Sequence, residues 1–353
     1  MIWYAVATNR HSVPVKTNLE SDYYITPSIF STERSKLFST TWQLLGPLSL
    51  LENPGSYVSD DIAGIKVVAI RGQDGILRAF RNVCRHRGAQ LIADGIGSCR
   101  TIRCPYHNWV YDDTGVLRHA PWFGGDSDFS LDQWPLQPIH IQQWRNLVFI
   151  CIEPHQLLLE QLGDTEGALD DVLIEDYQCV DEHRVEFSAN WKVYTDNFVE
   201  GYHIPGIHPE FYAAIDFEKF STTADKGLVS MRAPAKEDLF YTGRWYWMWP
   251  NWTLSLFNGG MNTSRINPLG HDRTELIYHF YFDQDHCEDT EFKANTIARN
   301  LEVVRQDFQI CFDTHQNYVS GNYHPGPLSP RHEQGVMYFQ DRYSLIIGTE
   351  KGN

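Results

Sequence analysis

Two short pairs of metal-ligating residues stand out in the first third of the chain. Cys84 and His86 are followed, after 17 intervening residues, by Cys104 and His107. Two thiolates and two imidazoles form the ligand set of a [2Fe–2S] cluster in which the cysteines hold one iron and the histidines hold the other. Because two neutral imidazoles replace two anionic thiolates, such a cluster is easy to reduce, and the pattern predicts transfer of single electrons.

The same four side chains also satisfy a structural zinc ion, since two cysteines and two histidines suit tetrahedral Zn²⁺. Zinc fingers, however, usually pair cysteine with cysteine and histidine with histidine along the chain. Here each pair contains one cysteine and one histidine. The order of the ligands therefore favours the Rieske type of [2Fe–2S] cluster.

A second group of ligand-type residues lies near the middle of the chain. Glu200 and His203 are three residues apart, so they should share one face of a helix predicted over residues 191–202. The Pro-Gly pair that follows should end this helix and let His208 turn back toward His203. Two histidines and a carboxylate from elsewhere would form the facial triad that holds mononuclear Fe(II) and leaves positions open for O₂.

The carboxylate that completes this triad is not fixed by spacing. Asp307 lies beside the apolar stripe of a long helix predicted over residues 292–318, where a carboxylate is costly unless it is paired or metal-bound. A solvated aspartate on the helix surface agrees equally well with the spacing. Asp313, on the same helix, is a competing candidate.

The elements that must position these residues predict an α+β fold with a division near residue 155. Residues 1–41 should form an N-terminal arm that ends in a helix at about residues 27–38. Residues 42–155 contain short β-rich runs separated by turns and form the predicted β-rich Rieske domain. One hairpin is predicted around the Gly-Gln-Asp-Gly turn at residues 72–75.

Residues 156–353 form the predicted catalytic domain, which should hold the mononuclear iron. A helical linker is expected at its start, followed by the helix that carries Glu200. Probable strands occupy residues 228–282 and precede the long helix. This order predicts strands that pack against one long amphipathic helix.

Composition limits the compartment and the partners. The formal charge of −16 argues against nucleic acid or an anionic membrane as a partner, although not against a protein with a basic docking face. No apolar run approaches the ~20 residues that cross a bilayer, and the start of the chain lacks the pattern of a signal peptide. Seven cysteines, two of them assigned to iron, suit a reducing cytoplasm.

Over nearly its whole length the sequence resembles the α subunit of a Rieske non-haem iron oxygenase. The resemblance is carried by residues 82–89, 104–109, 190–208 and 325–340. It implies a helix-grip-like catalytic domain whose antiparallel sheet wraps the long helix. It also implies that His203, His208 and Asp307 bind Fe(II), with O₂ as co-substrate.

The resemblance also implies an assembly and a source of electrons. Such α subunits commonly form α₃ or α₃β₃ rings, here expected as a homotrimer, and a flavin or ferredoxin reductase supplies electrons from NAD(P)H. An acidic residue three positions before the first iron histidine joins the second Rieske histidine of a neighbouring subunit, and Glu200 and His107 match these two positions. Asn197, in the same block, is a second candidate catalytic residue.

Two positions depart from the family pattern. Asn108 stands where a small glycine or alanine is usual. Gly201 follows the bridging glutamate, where members that oxidise quaternary ammonium compounds often have cysteine. The segment after Asp307 also differs from that of many relatives, which weakens the match just beyond the predicted ligand.

Glutamate at the bridging position, in contrast to aspartate, resembles the branch that oxidises quaternary ammonium compounds by N-demethylation or C–N cleavage. A cluster of aromatic residues is dense enough to form a cation–π cage for a methylated ammonium group, although the same residues could simply fill the core. The candidates for this substrate pocket are Tyr241, Trp245, Trp247, Trp249 and Trp252.

Other functions agree with part of the sequence. Hydroxylation or cis-dihydroxylation of an aromatic ring would use the same two metal centres. A Rieske electron carrier would leave His203 and His208 without a role. A di-iron oxygenase would need a second Glu-x-x-His motif on a helical bundle, and only the motif from Glu200 to His203 is present.

Overall fold

The computed structural model describes residues 15–125, 128–236 and 240–348. Residues 1–14 of the predicted N-terminal arm lie outside this range. The remainder of the arm contains helices α1 (Asp22–Ile25) and α2 (Pro27–Glu33), and a π-helical turn (Arg34–Phe38) continues α2. The helix predicted over residues 27–38 is therefore confirmed.

The β-rich first half of the chain contains two sheets. Seven strands form the larger sheet in the order β1-β10-β9-β4-β3-β2-β5, and β6, β7 and β8 form a small separate sheet. The hairpin predicted around residues 72–75 is confirmed, because β3 and β4 pair directly. The strands are β1 (Gln43–Pro47), β2 (Ser56–Ile62), β3 (Ile65–Arg71), β4 (Leu77–Arg81), β5 (Gly95–Ser98), β6 (Thr101–Arg103), β7 (Val110–Asp112), β8 (Leu117–His119), β9 (Pro138–Trp144) and β10 (Leu147–Cys151).

The second half begins with short helices and continues into a seven-stranded antiparallel sheet in the order β11-β17-β16-β15-β14-β13-β12. Among the described residues, no helix combines the length and the apolar composition needed to cross a membrane. The elements are α3 (Leu158–Leu162), α4 (Thr165–Ala168), β11 (Gln178–Phe187), α5 (Trp191–Phe198), α6 (Ile204–Ile207), α7 (Pro209–Ala214), β12 (Ser221–Asp225), β13 (Leu228–Arg232), β14 (Tyr241–Met248), β15 (Trp252–Phe257), β16 (Gly260–Pro268), β17 (Thr274–Phe282), α8 (Thr290–Val319) and α9 (Gln334–Ile347).

Helix α8 packs its apolar stripe against one face of this sheet, as the sequence predicts. Ile297, Leu301 and Val304 belong to the same buried cluster as Phe257 and Phe280 from the strands. The opposite face of the sheet packs against strands of the first half and against the short helices that begin the second half, in a second buried cluster. The mixed fold of a β-rich domain and a helix on an antiparallel sheet is confirmed.

The helix predicted over residues 191–202 is wrong at its C-terminal end. Helix α5 ends at Phe198, so Glu200 and His203 lie in the loop between α5 and α6 and not on one helix face. The Glu200 carboxylate accepts hydrogen bonds from the backbone N–H groups of Tyr202 and His203. These bonds satisfy two backbone amides of the loop that precedes α6, and they favour a turn there over continuation of α5.

A buried ion pair connects the two large sheets. Arg265 on β16 donates to Asp60 on β2 at 2.5 Å, and Arg184 on β11 donates to the other carboxylate oxygen at 3.0 Å. Asp60 and Arg265 have side chains that are 2% exposed. Burial raises the pKa of Asp60, but the two guanidinium groups outweigh burial and hold the pKa below its ordinary value.

We expect Asp60→Asn to lower the free energy of unfolding by about 3–5 kcal/mol, because it leaves the Arg265 charge buried without a counter-charge. The depressed pKa means that the Asp60 contribution is complete above the pKa of the unfolded carboxyl and is lost as pH falls through the folded pKa. The variant should therefore lose less stability than the wild type in acid. Urea unfolding followed between pH 7 and pH 3 measures both effects.

The matched control is Asp171→Asn, which removes the carboxylate that Arg244 pairs with at the surface. The side chain of Asp171 is 62% exposed, so its loss should cost at most about 1 kcal/mol. Equal losses in the two variants would contradict a structural role for the buried pair.

Candidate metal centres and active site

The two Cys-His pairs lie on two loops with the same backbone hydrogen bonds. In each loop the amide of the cysteine donates to the carbonyl five residues later, and the amide four residues later donates back to the cysteine carbonyl. The residue that closes each loop has a left-handed backbone, with φ of 74° at Gly88 and 56° at Asn108. Asparagine tolerates this conformation better than most residues, which accounts for Asn108 at a position where glycine is common.

The loops bring the four predicted cluster ligands together as two pairs. The Nδ1 atoms of His86 and His107 are 3.1 Å apart, as two nitrogens that bind one iron should be. The thiols of Cys84 and Cys104 are buried and interact with each other. Among the described residues, these four side chains do not gather three ligand atoms closely enough for a single ion, which fits two irons and does not fit one tetrahedral zinc.

Donors surround the thiols. Burial is the largest effect on Cys104 and raises the pKa of its thiol, whereas the backbone N–H groups of Tyr106 and His107 act in the opposite direction. The Tyr111 hydroxyl lies 3.5 Å from the Cys84 sulfur. Hydrogen bonds to cluster sulfurs and burial are the main means by which a protein adjusts the potential of an iron–sulfur cluster. The residues present therefore fit a Rieske cluster.

The mononuclear site is formed by three residues from three different elements. His203 precedes α6, His208 precedes α7, and Asp307 lies on α8. One ligand atom from each lies within 4.8 Å of the other two, and this is the one group of its kind among the described residues. Asp307 Oδ1 is 2.9 Å from His208 Nε2 and 3.8 Å from His203 Nε2. Two imidazoles and one carboxylate on one side suit non-haem Fe(II).

The competing carboxylate does not reach this site. Asp313 is exposed and accepts a hydrogen bond from Gln309 on the surface of α8. Asp307 lies six residues earlier, on the buried face of the same helix, and is 7% exposed. The helical twist therefore places Asp307 on the buried face of α8 and Asp313 on its exposed face, a difference that spacing along the sequence does not reveal.

Both histidines are held through the ring nitrogen that faces away from the site. His203 Nδ1 lies 2.5 Å from Glu200 Oε1, and His208 Nδ1 lies 2.7 Å from Gln306 Oε1. An Nδ1–H that donates to these oxygens leaves the Nε2 lone pair for a metal. Burial opposes the charged form of His203, but the carboxylate of Glu200 outweighs it and raises the pKa of the imidazole. Gln306 was not predicted as a partner of His208, because its position in the sequence matches no ligand motif.

A cavity opens beside the three ligands and is walled largely by aromatic rings. Phe211 lies 4.6 Å from Tyr241 and 5.1 Å from Trp245, measured between ring centroids. The ring of Phe220 lies on the Cα atom of Gly201 and leaves no space for a side chain there, which accounts for the glycine after Glu200. The cavity is also lined by Met231, Ser255, Asn262, Tyr278 and Asn300.

Three of the five aromatic residues predicted for the substrate pocket do not line this cavity. Trp247 and Trp249 are buried against Phe339 of α9. Trp252 points to the opposite face of the sheet, where it packs against Phe149. Tyr241 and Trp245 do line the cavity. The alternation of a strand predicted which tryptophans share a face but not how far the cavity extends along that face.

Glu200 and Asn197, the two predicted catalytic residues, lie at the boundary between this cavity and an outer one. Both residues line both spaces. Asp196 and Glu333 also line the outer cavity. Burial raises the pKa of Asp196 to about 7 against the opposing hydrogen bonds from Tyr24 and Gln340. Glu200 thus lies between the candidate iron ligand His203 and the outer cavity that Asp196 and Glu333 also line.

The sequence matches two family descriptions that together cover most of the chain. Residues 41–135 match the Rieske [2Fe-2S] domain. Residues 174–238 and 230–349 match the catalytic domain of the ring hydroxylating α subunit. The first match contains all four candidate cluster ligands, and the second contains all three candidate iron ligands.

Similar proteins and structures span nearly the whole chain. Choline monooxygenase of Spinacia oleracea is 26% identical in an alignment 336 residues long, which covers 90% of this chain and 76% of that protein. The carnitine monooxygenase oxygenase subunit of Acinetobacter pittii is 27% identical over 346 residues, covering 90% and 91%. A quaternary ammonium Rieske monooxygenase in complex with L-carnitine superposes with a TM-score of 0.84 at 26% identity, covering 94% of this chain and 96% of that one.

We expect Asp307→Ala to lose mononuclear iron and turnover while the visible spectrum of the cluster is unchanged, because Asp307 lies outside the Rieske loops. Asp313→Ala, the same change six residues along the same helix, should retain both. Iron and sulfide analysis, the visible spectrum and a product assay measure the three quantities. Retained mononuclear iron in Asp307→Ala would contradict the ligand assignment.

Proposed function

We propose that this chain, which belongs to the Rieske non-haem iron oxygenases, oxidises a quaternary ammonium or N-methylated compound. It is the oxygenase component, which uses O₂ and electrons from NAD(P)H. One observation carries this proposal. An aromatic cage formed by Phe211, Tyr241 and Trp245 lies next to the candidate iron ligand His208, whose ring centroid is 6.3 Å from that of Phe211.

The cage suits a cation by geometry and by charge. A methylated ammonium is attracted by aromatic faces within about 6 Å of the ring centroid, and the attraction grows when water is excluded. Glu200 also lines the cavity, and its carboxylate adds negative potential. Relatives that act on choline and carnitine, as their names state, support the same class of substrate.

The proposed ligands divide the chemistry between two sites. When bound, the Rieske cluster supplies single electrons and the mononuclear iron supplies O₂ activation. His203, His208 and Asp307 would occupy one side of the iron, with Glu200 and Gln306 fixing the two imidazoles. Because the ring of Phe211 is 6.3 Å from that of His208, a cation held against Phe211 would lie close to the candidate iron ligands.

The products follow from the position of the methyl groups. Insertion of one oxygen atom into an N-methyl C–H bond gives a carbinolamine, which breaks into formaldehyde and the demethylated amine. Oxidation at another carbon next to nitrogen would break the C–N bond in the same way and release an aldehyde.

We also propose a homotrimer in which the Rieske loops of one subunit meet the outer cavity of the next. Arg85 lies over Trp134 and Arg87 lies over Tyr106, which makes the surface around the cluster ligands basic and aromatic. The outer cavity beside Glu200 is acidic. A head-to-tail contact between these two surfaces closes into a ring when the rotation is suitable.

The remaining proposals concern partners and location. Members of this family work with a reductase, and the proposed reductase is a flavin or ferredoxin type. The proposed division into residues 1–41, 42–155 and 156–353 is supported by the separate sheets on either side of residue 155. The proposed cytoplasmic location is supported by seven cysteines that form no disulfide.

The reaction is tested by a single turnover of chemically reduced, iron-loaded protein with O₂ and pairs of charged and neutral substrates. Trimethylammonium compounds should lose a methyl group. Their carbon isosteres, in which a tert-butyl group replaces trimethylammonium, should react about 30-fold less efficiently, because a desolvated cation–π contact contributes ~2 kcal/mol. Mass spectrometry of the products measures both rates.

Aromatic acids and hydrocarbons form the contrasting half of this experiment. Ring hydroxylation of these compounds without demethylation of any ammonium compound would contradict the proposed substrate class. It would also mean that the three rings accept a flat substrate by stacking.

The proposed ring is tested by mixing two inactive variants. His107→Ala removes a candidate ligand of the Rieske cluster. The second variant, His203→Ala, removes a candidate ligand of the mononuclear iron. If electrons cross between subunits, unfolding and reassembling equal amounts of the two together should restore roughly a quarter of wild-type activity, because a mixed ring has one productive interface of its three, while each variant alone stays inactive. No restored activity in mixed trimers, verified by mass, would contradict electron transfer between subunits.

A further inference from the structure

A row of oxidisable side chains leads from the active-site cavity into the body of the catalytic half. Phenols and thiols lose a single electron far more readily than aliphatic side chains do. Tyr278 on β17 and Tyr194 on α5 both line the cavity that holds the candidate iron ligands, and their hydroxyl oxygens are 3.2 Å apart. The tyrosine row consists of Tyr278, Tyr194, Cys311, Tyr318, Tyr24 and Tyr323.

Cys311 connects the two ends of this row. It lies on the buried face of α8, four residues after Asp307 and seven before Tyr318. Burial raises the pKa of both Tyr194 and Tyr318, and the charge of a Cys311 thiolate adds to the increase in each case, so the thiol lies near both phenols. Tyr194 lines the active-site cavity and Cys311 lines the outer cavity. The row therefore passes through the wall between these two spaces.

Beyond Cys311 the row continues through closely spaced rings. The ring centroid of Tyr318 is 4.9 Å from that of Tyr24 and 4.7 Å from that of Tyr323. Tyr24 and Tyr318 are buried, whereas Tyr323 is partly exposed. A helix rises about 1.5 Å per residue, so Tyr318 lies about 16 Å along α8 from Asp307. Because electron transfer slows steeply with distance, oxidisable groups along the way replace one long step by several short ones.

Tyr24 is the member of the row that has a carboxylate partner among the described contacts. Its hydroxyl donates to Asp196 Oδ2 at 2.6 Å, and Gln340 donates from Nε2 to Asp196 Oδ1 at 3.1 Å. An oxidised phenol is a strong acid, so it is stabilised by a base that takes its proton. Burial raises the pKa of Asp196 to about 7, which makes this carboxylate a better base than an ordinary aspartate. A missing electron is therefore most stable at Tyr24.

We propose that the tyrosine row supplies electrons to O₂ when no substrate is bound, and that Tyr24 holds the resulting radical while Asp196 holds its proton. Reduction of O₂ to two waters takes four electrons and four protons. The two reduced metal centres supply one electron each, the row supplies the other two one at a time, and solvent supplies the protons. A small one-electron reductant such as ascorbate restores Tyr24 through Tyr323, and the proton returns from Asp196.

This function protects the wall of the active-site cavity. Phe211, Met231, Tyr241 and Trp245 line the same space and are themselves open to oxidation. A bound substrate consumes the activated oxygen, so the row is needed when O₂ reacts before substrate arrives. Because Tyr24 does not line the substrate cavity, turnover of a bound substrate does not require it.

The first experiment mixes reduced, iron-loaded protein with O₂ in the absence of substrate and freezes the mixture at successive times. Electron paramagnetic resonance should show a tyrosyl radical, whose signal narrows in protein made with ring-deuterated tyrosine. Tyr24→Phe should lower the radical yield at least about tenfold, because it removes the phenol that donates to a carboxylate. Asp196→Asn keeps the phenol but removes the base, so the yield should fall there as well.

The matched control is Tyr281→Phe. Tyr281 is buried on the opposite face of the sheet, and its hydroxyl lies 3.2 Å from that of Thr263. This variant should keep the wild-type radical yield. Circular dichroism and the visible spectrum of the cluster confirm that each variant folds.

Repeated reaction with O₂ and ascorbate, without substrate, measures the protection directly. Tyr24→Phe should accumulate added oxygen on peptides of the cavity wall faster than wild type, as read by mass spectrometry. With substrate in excess, the two proteins should turn over at equal rates. Equal damage in the two proteins would overturn the protective function.

A flash experiment separates the radical site from the reaction with O₂. A ruthenium photo-oxidant acting on the oxidised holoprotein without O₂ should produce the same radical in wild type and not in Tyr24→Phe. A radical that forms by flash alone and never with O₂ overturns the protective function. No tyrosyl radical in wild type under either condition overturns the whole proposal, and this comparison decides even if a variant does not fold.

Discussion

A carboxylate must be buried on the apolar side of a long helix, and much of the catalytic half is arranged around that requirement. Asp307 lies between buried residues of α8, where an uncompensated charge would be costly. His203 and His208 approach its oxygen, and each is held from behind by Glu200 or Gln306. In this buried surrounding, electrostatic attraction is stronger than in water, so the same burial that makes the carboxylate costly would strengthen its attraction to a bound cation.

The parts of the site that were predictable from the sequence have short-range causes. Both Cys-His pairs and the two histidines after α5 are specified by spacing over a few residues, and the stripe of α8 is specified by helical periodicity. The choice between Asp307 and Asp313 needed the orientation of the helix, which spacing does not supply. Gln306 on α8, Phe211 on α7 and Asn262 on β16 reach the site through tertiary packing, so no local pattern marked them.

The errors have physical explanations as well. A helix that reached residue 202 was plausible by pattern, but the Glu200 carboxylate caps the following turn and ends α5 earlier. Trp245 and Trp247 lie on β14, whereas Trp249 follows the end of that strand, and burial against α9 removes Trp247 and Trp249 from the cavity. A strand can predict the face of a side chain, whereas the extent of a cavity depends on which helix covers that face.

The contact between Gly201 and Phe220 links the metal site to the wall of the cavity. The Phe220 ring lies where a side chain at position 201 would begin, so the two positions form a single steric unit. A chain with cysteine at position 201 needs a smaller or displaced residue at 220, and its cavity would have a different wall. A side chain at position 201 is therefore accommodated only if the residue at 220 shrinks or moves, which couples the loop after Glu200 to the shape of the space that receives the substrate.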